Sequence, residues 1–494
     1  MRRLVLVGAF SGLSLLTGGC MVGPNYVRPA VEQPTGFKSQ PVGEAGPPLA
    51  ADWWRLYADP ELDRLIGTAQ AANQTLGGAV ARVDEARALA RVAGSFLYPT
   101  VSLDPSYART RYSGARASTI TAKQVPRGVD ISSWTIPLDL SYEVDVWGRV
   151  RRSLEAARAT AAATEDDVGV VRLTIETDVA QFYYTIRSLD AQIRILEETL
   201  TAYQEQVRVL SVQLRTGLVS GIVVSQAQAQ LQATQAQLSN NRRARANAEH
   251  ALAILCGRPA SSFTVAANAL QDVSPPVVPA GLPAQLLTRR PDVAEAEKNV
   301  VAANAQIGVA TAEFYPRFTL TASAGFSSLN ADMLFTWQSR VAQILPSVSI
   351  PLFQGGRLRA NLDATKARYR QTVSIYVEQV LVAYGDVEDA LTDLHSYGDQ
   401  VASLRTAVAE SQNYLRLAQV QYRQGLVDYL LANRIPTHLF FAPYPTATVQ
   451  KVASAVDLRK EFIDFAVRSD GIAAADLRQN FFDWYRRQPG EVTC

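Results

Sequence analysis

Histidine and cysteine are scarce in this chain, and neither sign of charge dominates. The 494 residues include 3 His and 3 Cys, and 48 basic against 46 acidic residues leave a net charge of +2. So balanced a chain offers no electrostatic case for binding nucleic acid, which requires a clustered basic surplus. Cys20, Cys256 and Cys494 stand too far apart for a disulfide framework or a zinc site. Cys256 is better explained as a small buried apolar residue.

Catalytic and phosphate-binding patterns are also lacking. His250, His395 and His438 are widely separated in the sequence, so they form no recognisable catalytic group. The glycine pair at 355–356 does not match a P-loop or a dinucleotide-binding fingerprint. We therefore expect no enzymatic activity, no cofactor and no metal ion.

Long apolar runs are absent after the N-terminus. Residues 1–19 combine two arginines with a short apolar stretch, which predicts a signal peptide rather than a membrane-spanning helix. The small residues 17–19 followed by Cys20 resemble a bacterial lipobox, so we expect Cys20 to be acylated; an ordinary signal peptide with a chance cysteine is the alternative. Any membrane crossing by the mature chain would have to use strands.

An internal repeat organises the chain. Arg149 and Gly217 recur 208 residues later as Arg357 and Gly425. Between these positions the apolar residues follow a three-and-four spacing, which predicts one long coiled-coil helix in each copy. Glycines end both helices. In the first copy the pattern resumes after Gly221, so residues 217–221 are predicted to form the tip of a helical hairpin.

Segments before the long helices alternate between apolar and polar residues. We predict strands near 96–112, 131–147, 314–328 and 341–352. Such alternation suits strands between lipid and a watery lumen, but it suits a half-buried soluble sheet equally well. Four strands cannot close a barrel with a water-filled bore, so membrane-spanning strands would have to be pooled from several protomers.

Several short motifs together resemble the TolC/OprM-type outer-membrane efflux family, in its NodT-like lipoprotein branch. The resemblance covers about residues 15–431. It rests on the lipobox and on the following segments: Gly23-Pro24-Asn25-Tyr26-Val27-Arg28-Pro29, Trp53-Trp54, Tyr98-Pro99 with Tyr315-Pro316, Asp145-Val146-Trp147-Gly148-Arg149, Arg289-Arg290-Pro291-Asp292-Val293, Pro351-Leu352-Phe353-Gln354-Gly355-Gly356-Arg357 and Tyr422-Arg423-Gln424-Gly425.

The resemblance implies a mixed, mainly α fold in an outer-membrane exit duct for drugs or other small molecules. Long helical hairpins would form a periplasmic α-barrel, and four strands per protomer would enter a twelve-stranded transmembrane β-barrel of a homotrimer. The implied partners are outer-membrane lipid, a periplasmic adaptor and an inner-membrane pump of the resistance-nodulation-division class. The alternatives are an outer channel for type I protein secretion and a coiled-coil scaffold that transports nothing.

The resemblance also implies where adaptor contacts would lie, namely at the two hairpin tips. The residues concerned are Arg215, Gly217, Leu218, Val219, Tyr422, Arg423, Gly425, Leu426, Val427 and Asp428.

The repeat breaks near Leu431. Its offset maps the returning helix 224–238 onto 432–446, where three prolines occur, each costing a helix interior about 3 kcal/mol or more. We therefore predict that the second hairpin is incomplete and the channel impaired, whether a frameshift, a fusion or a native terminus is the cause. The expected organisation is a signal peptide (1–19), a lipid-anchored segment (20–55), two repeats (56–270 and 271–431) and an atypical tail (432–494).

Overall fold

The computed structural model describes residues 21–34, 36–38, 52–113, 129–268 and 289–424. In chain order the helices and strands are α1 (Pro60–Ala72), α2 (Gln74–Ser95), β1 (Thr100–Leu103), β2 (Ser106–Tyr112), β3 (Val129–Val144), α3 (Arg149–Arg215), α4 (Gly221–Leu255), α5 (Pro291–Ala312), β4 (Arg317–Ser328), β5 (Arg340–Ser349) and α6 (Arg357–Arg423). Among the described residues, no helix combines the length and the apolar character needed to cross a bilayer.

The two predicted long helices, α3 and α6, are confirmed with equal lengths of 67 residues. At a rise of about 1.5 Å per residue, each extends roughly 100 Å. Gly217 ends α3 with a φ of 77°, and the amide of Leu218 donates to the carbonyl of Gln213 at 2.9 Å. This is the left-handed glycine stop that the sequence predicted. Helix α4 then returns and ends before Gly257, whose φ is 65°.

The strands form one antiparallel sheet in the order β1–β3–β4–β5, with β2 also paired to β3. The predicted first strand is interrupted between β1 and β2 at Asp104-Pro105, because proline cannot donate to the hydrogen-bond ladder. Strands also start later than predicted, at Thr100 and Arg317. The amide of Tyr98 instead donates to the carbonyl of Ser95 in a turn that closes α2.

The chain divides into two compact units, and neither coincides with one sequence repeat. The first takes 1–48, 72–175 and 279–388, and the second takes 49–71, 176–278 and 389–494. In the first unit α5 packs against α6 through a buried cluster that includes Val293, Val300, Tyr376 and Val380. In the second unit the fully buried side chains include Leu62, Leu65, Ile66, Ile186 and Leu252.

Candidate functional site

The sheet has one apolar and one polar face, as the alternation predicted. On the apolar face Leu138 lies opposite Ala324, and Tyr142 lies opposite Leu320. On the polar face Asp139 lies opposite Ser323, with the pairs Ser141–Thr321 and Glu143–Thr319 in the same row. Successive side chains of a strand point to opposite faces, so this register keeps apolar and polar residues on separate faces across both β3 and β4.

The apolar face is open in the described part of the chain. Leu138 is 49% exposed, Val348 is 55% exposed and Ile344 is 74% exposed. In a soluble sandwich the apolar face of a sheet packs against a second layer. An exposed face of this size is instead typical of a surface that meets lipid or another chain.

The repeated motifs meet where the strands join the long helices. Asp145 accepts hydrogen bonds from the backbone amides of Val150 and Arg151, at 3.1 and 2.9 Å, and so caps the start of α3. The indole of Trp147 donates to the carbonyl of Pro316 at 2.9 Å, and its ring packs 4.8 Å from that of Tyr315. A motif of the first copy is thus held by a motif of the second.

The N-terminal segment is held against this junction by Arg152, whose side chain is only 2% exposed. The Arg152 guanidinium donates to the side-chain oxygen of Asn25 at 2.8 Å and to the carbonyl of Val22 at 3.4 Å. Gly308 leaves room for this approach: a Cβ there would lie 2.8 Å from the Arg152 side chain. Met21, the residue after Cys20, packs against Gly148, which has a φ of 80°.

Further along, the same segment binds Glu297 on α5. The hydroxyl of Tyr26 donates to Glu297 at 3.0 Å, and Arg28 forms a bidentate ion pair with it. Burial alone would raise the pKa of Glu297, but the hydrogen bonds from Arg28 and Tyr26 outweigh it, and the pKa is lowered. The sequence flagged the motif that contains Tyr26 and Arg28 but not its partner, which lies about 270 residues away. Nothing in the local pattern could have supplied that pairing.

A second motif of unassigned role, Arg290 with Asp292, orders the start of α5. Arg290 contacts Asp292 at 2.6 Å and Asp386 at 2.9 Å, and Gln379 donates to Asp292 at 2.7 Å. Burial would raise the pKa of Asp292, but its hydrogen bonds and the charge of Arg290 lower it overall. Both motifs that the sequence singled out therefore hold α5 in place.

The structure places the first predicted tip at the turn between α3 and α4. Arg215 is the last residue of α3, and Leu218 is 74% exposed beside Ile222, which is 80% exposed. Tyr422 and Arg423 lie in the last turn of α6. Gly425, Leu426, Val427 and Asp428 lie outside the described residues, as does Cys20.

The C-terminal parts of the two long helices differ in how far their apolar side chains are buried. Helix α4 packs along α3: Asn241 donates to Gln192 at 3.0 Å, and Arg245 pairs with Asp190 at 2.6 Å. Ile186 and Leu196 are accordingly fully buried. The residues 208 positions later, in α6, are Leu394, which is 49% exposed, and Leu404, which is partly exposed. Nearer the end of α6, Ala418 is buried.

The comparisons with known proteins agree with the resemblance. The profile of the family described as outer membrane efflux protein matches residues 65–258 and 282–433. The chain is similar to the cation efflux system protein CusC of Escherichia coli, with 32% identity over 428 residues, 85% of this chain and 90% of CusC. It is similar to the toluene efflux pump outer membrane protein TtgI of Pseudomonas putida, with 33% identity over 438 residues, 86% of this chain and 91% of TtgI.

Two further similarities concern the anchor and the fold. The probable outer membrane lipoprotein SilC of Salmonella typhimurium is 30% identical over 425 residues, 85% of this chain and 90% of SilC. The solved structure of the outer-membrane channel OprN superimposes with a TM-score of 0.77 at 26% identity, covering 84% of this chain and 92% of OprN. The chain therefore belongs to the outer membrane efflux protein family, and it is an efflux channel of the outer membrane with the mixed, mainly α fold of that family.

Proposed function

We propose that this chain is the exit duct of a tripartite efflux system driven by an inner-membrane pump of the resistance-nodulation-division class. The proposal rests on one observation: the sheet has an exposed apolar face and two lateral edges. Within the described residues, β1 and β2 form one edge and β5 forms the other, each paired on a single side. Unpaired backbone groups are not tolerated in hydrocarbon, so these edges need partner strands.

If identical chains contribute strands to one barrel, the backbone groups of both edges are paired at once. A homotrimer in which β1 with β2 counts as one strand would contribute twelve strands, enough for a barrel with an open bore. The apolar face would then meet lipid, and the face with Asp139 and Glu143 would line the lumen.

The hairpins supply the periplasmic part of the proposed duct. Helix α3 and its return helix α4 have the seam of a coiled coil, and three copies would give a closed helical wall. The exposed tip residues Leu218 and Ile222 are suited to a protein partner, because they present apolar side chains at the end of a long rigid element. We therefore assign the tip, together with Arg215, Gly217 and Val219, to contact with a periplasmic adaptor.

The cargo of the proposed duct is a class of small molecules rather than one compound. The relatives are named for different cargoes, cations for CusC and toluene for TtgI. The test is a strain that lacks its own outer channel, complemented with a version of this chain in which the residues after Leu431 are replaced by residues 224–255, and assayed against antibiotics, dyes, solvents and metal ions. Recovery of secreted protein instead of small-molecule resistance would favour type I secretion, and no transport from a correctly assembled trimer would favour the scaffold.

We predict that Cys20 carries the lipid anchor. The lipobox-like run motivates this, and the relative SilC is named a probable outer membrane lipoprotein. Labelled palmitate should be incorporated into the wild-type chain and lost from Cys20→Ala, whereas Cys256→Ala should label normally because that cysteine is fully buried. Equal labelling of the wild type and Cys20→Ala would reject the anchor.

We predict that the two faces of β3 differ in access to water. Cysteines placed singly at Leu138 and Leu140 should resist a water-soluble maleimide in intact outer membranes, whereas those at Asp139 and Ser141 should react. The reason is that successive side chains of a strand point to opposite faces. Labelling should be scored after denaturation as well, so that poor expression is not mistaken for protection; uniform reactivity along the run would contradict the barrel.

A further inference from the structure

Charged side chains on the apolar face of the sheet are confined to one end. From Val144 to Trp134 every β3 residue on this face is apolar or aromatic. Beyond Trp134 the same face carries Arg109 opposite Ser132, and Arg111 opposite Asp130. The third arginine of this face, Arg340, begins β5 opposite Phe326, which in turn lies opposite Ile136, one row on the helix side of Trp134. This is the end of the sheet farthest along the strands from the long helices.

Aromatic rings lie next to these arginines. The rings of Tyr107 and Trp134 pack with centroids 4.4 Å apart, and the guanidinium of Arg340 lies 3.9 Å from the centre of the Trp337 ring. Tryptophan and tyrosine are enriched where a bilayer meets water. The 11 residues from Trp134 to Val144 match the roughly 9–11 residues with which a tilted strand crosses the hydrocarbon core. If Trp134 to Val144 cross the core as the proposed duct requires, Arg109 and Arg111 lie beyond it, at the depth of the headgroups.

Given the proposed function, on which this inference rests, the leaflet concerned is the one remote from the periplasmic helices. We propose that Arg109, Arg111 and Arg340 bind the phosphate groups of an anionic glycolipid of the outer leaflet, a lipopolysaccharide. A guanidinium fork matches phosphate oxygens bidentately. The side chains of Arg109 and Arg111 are 65% and 72% exposed, so they are available to a lipid headgroup.

The charge balance of the cluster supports an anionic ligand. Asp130 lies 3.4 Å from Arg109 and 3.6 Å from Arg111, so within the described residues one carboxylate faces two guanidinium groups. Among the described residues, Arg340 has no carboxylate within ion-pair distance, and its guanidinium lies over the Trp337 ring. If the arginines served only to stabilise the sheet, their ion pairs with Asp130 would be part of that role, and Asp130→Asn would not strengthen lipid binding. If they bind an anionic lipid, Asp130 competes with its phosphates, and Asp130→Asn should strengthen binding.

The test uses the purified full-length chain in detergent, with bisphosphorylated lipid A as the probe and binding followed by native mass spectrometry. R109Q/R111Q and R340Q should each bind lipid A at least about tenfold more weakly, because each removes charge-assisted hydrogen bonds to phosphate. Asp130→Asn should bind more tightly. Arg317→Gln is the matched control, since Arg317 lies on the opposite face and at the opposite end of β4, opposite Ser349.

Three results would overturn the proposal: equal binding of dephosphorylated lipid A, equal binding by the wild type and both arginine variants, or equal competition by phosphatidylglycerol added to the same detergent solution. Heat-modifiable migration of each variant is compared with that of the wild type, so a variant that assembles less well than the wild type is recognised and replaced by the single substitutions. Failure of the proposed channel itself would appear separately, as uniform thiol labelling along β3. Alternating labelling without lipid A binding would support the proposed duct and reject the glycolipid site.

Discussion

A chimera in which the residues after Leu431 are replaced by residues 224–255 of the same chain should transport substrate, whereas the unmodified chain should transport weakly or not at all. Residues 224–255 belong to α4, which covers the distal part of α3. The repeat offset places the same sequence directly after Leu431. The chimera thus places after α6, where the repeat predicts a return helix, a sequence that already packs along a long helix in this chain.

The physical reason is the uncovered apolar surface of α6. Leu394 is 49% exposed where its equivalent Ile186 is fully buried, and Val401 and Leu417 are also exposed. Burying an apolar side chain of this size contributes about 1.5–3 kcal/mol. Covering several of them should therefore raise trimer stability by orders of magnitude in the assembly constant, since each 1.4 kcal/mol is about a factor of ten.

The measurement is the fraction of heat-resistant oligomer together with the minimal inhibitory concentrations of the complemented strain. The control is a second chimera of equal length in which the apolar residues of the added seam are replaced by serine, which should behave like the unmodified chain. If the unmodified chain already forms heat-resistant trimers and restores full resistance, the predicted break in the second hairpin has no functional consequence and the prediction is wrong.

Arg152→Ala should release the N-terminal segment from the strand–helix junction. The substitution removes the donors to Val22 and Asn25 and leaves a cavity at a site where the arginine side chain is 2% exposed. Unsatisfied buried groups cost about 1–3 kcal/mol each, and the cavity adds to this. We expect a loss of about 3 kcal/mol or more in the first compact unit, which is a large part of the stability of an ordinary domain.

Hydrogen exchange of residues 21–31 is the direct measurement, because it reports the segment rather than the whole chain. Exchange should become fast in Arg152→Ala and remain slow in Arg158→Ala, an exposed arginine on the same helix. Gly308→Ala is an independent probe: its new Cβ would lie 2.8 Å from the Arg152 side chain and should loosen the same segment. Protected amides in both Arg152→Ala and Gly308→Ala would show that the segment is held by other contacts.

Local periodicity alone determined the helices and the faces of the strands. The three-and-four spacing located α3 and α6 to within a residue or two, and a glycine located the turn after Arg215. Alternation assigned residues 134–144 of β3 to their faces before the partner strand was known. These features are repeated many times along one element, so a single sequence carries enough signal to find them.

Tertiary structure alone decided the features that depend on residues far apart in the chain. The sequence could not say whether the apolar face of the sheet is covered, because a soluble sheet alternates in the same way; the exposure of Leu138 and Ile344 answers that. It named Tyr26, Arg28 and Arg290 as motif residues without their partners. Glu297 and Asp386 become partners only when α5 packs beside the N-terminal segment and α6. Pairing between single residues at long range leaves no periodic trace, and that is why it had to be read from the fold.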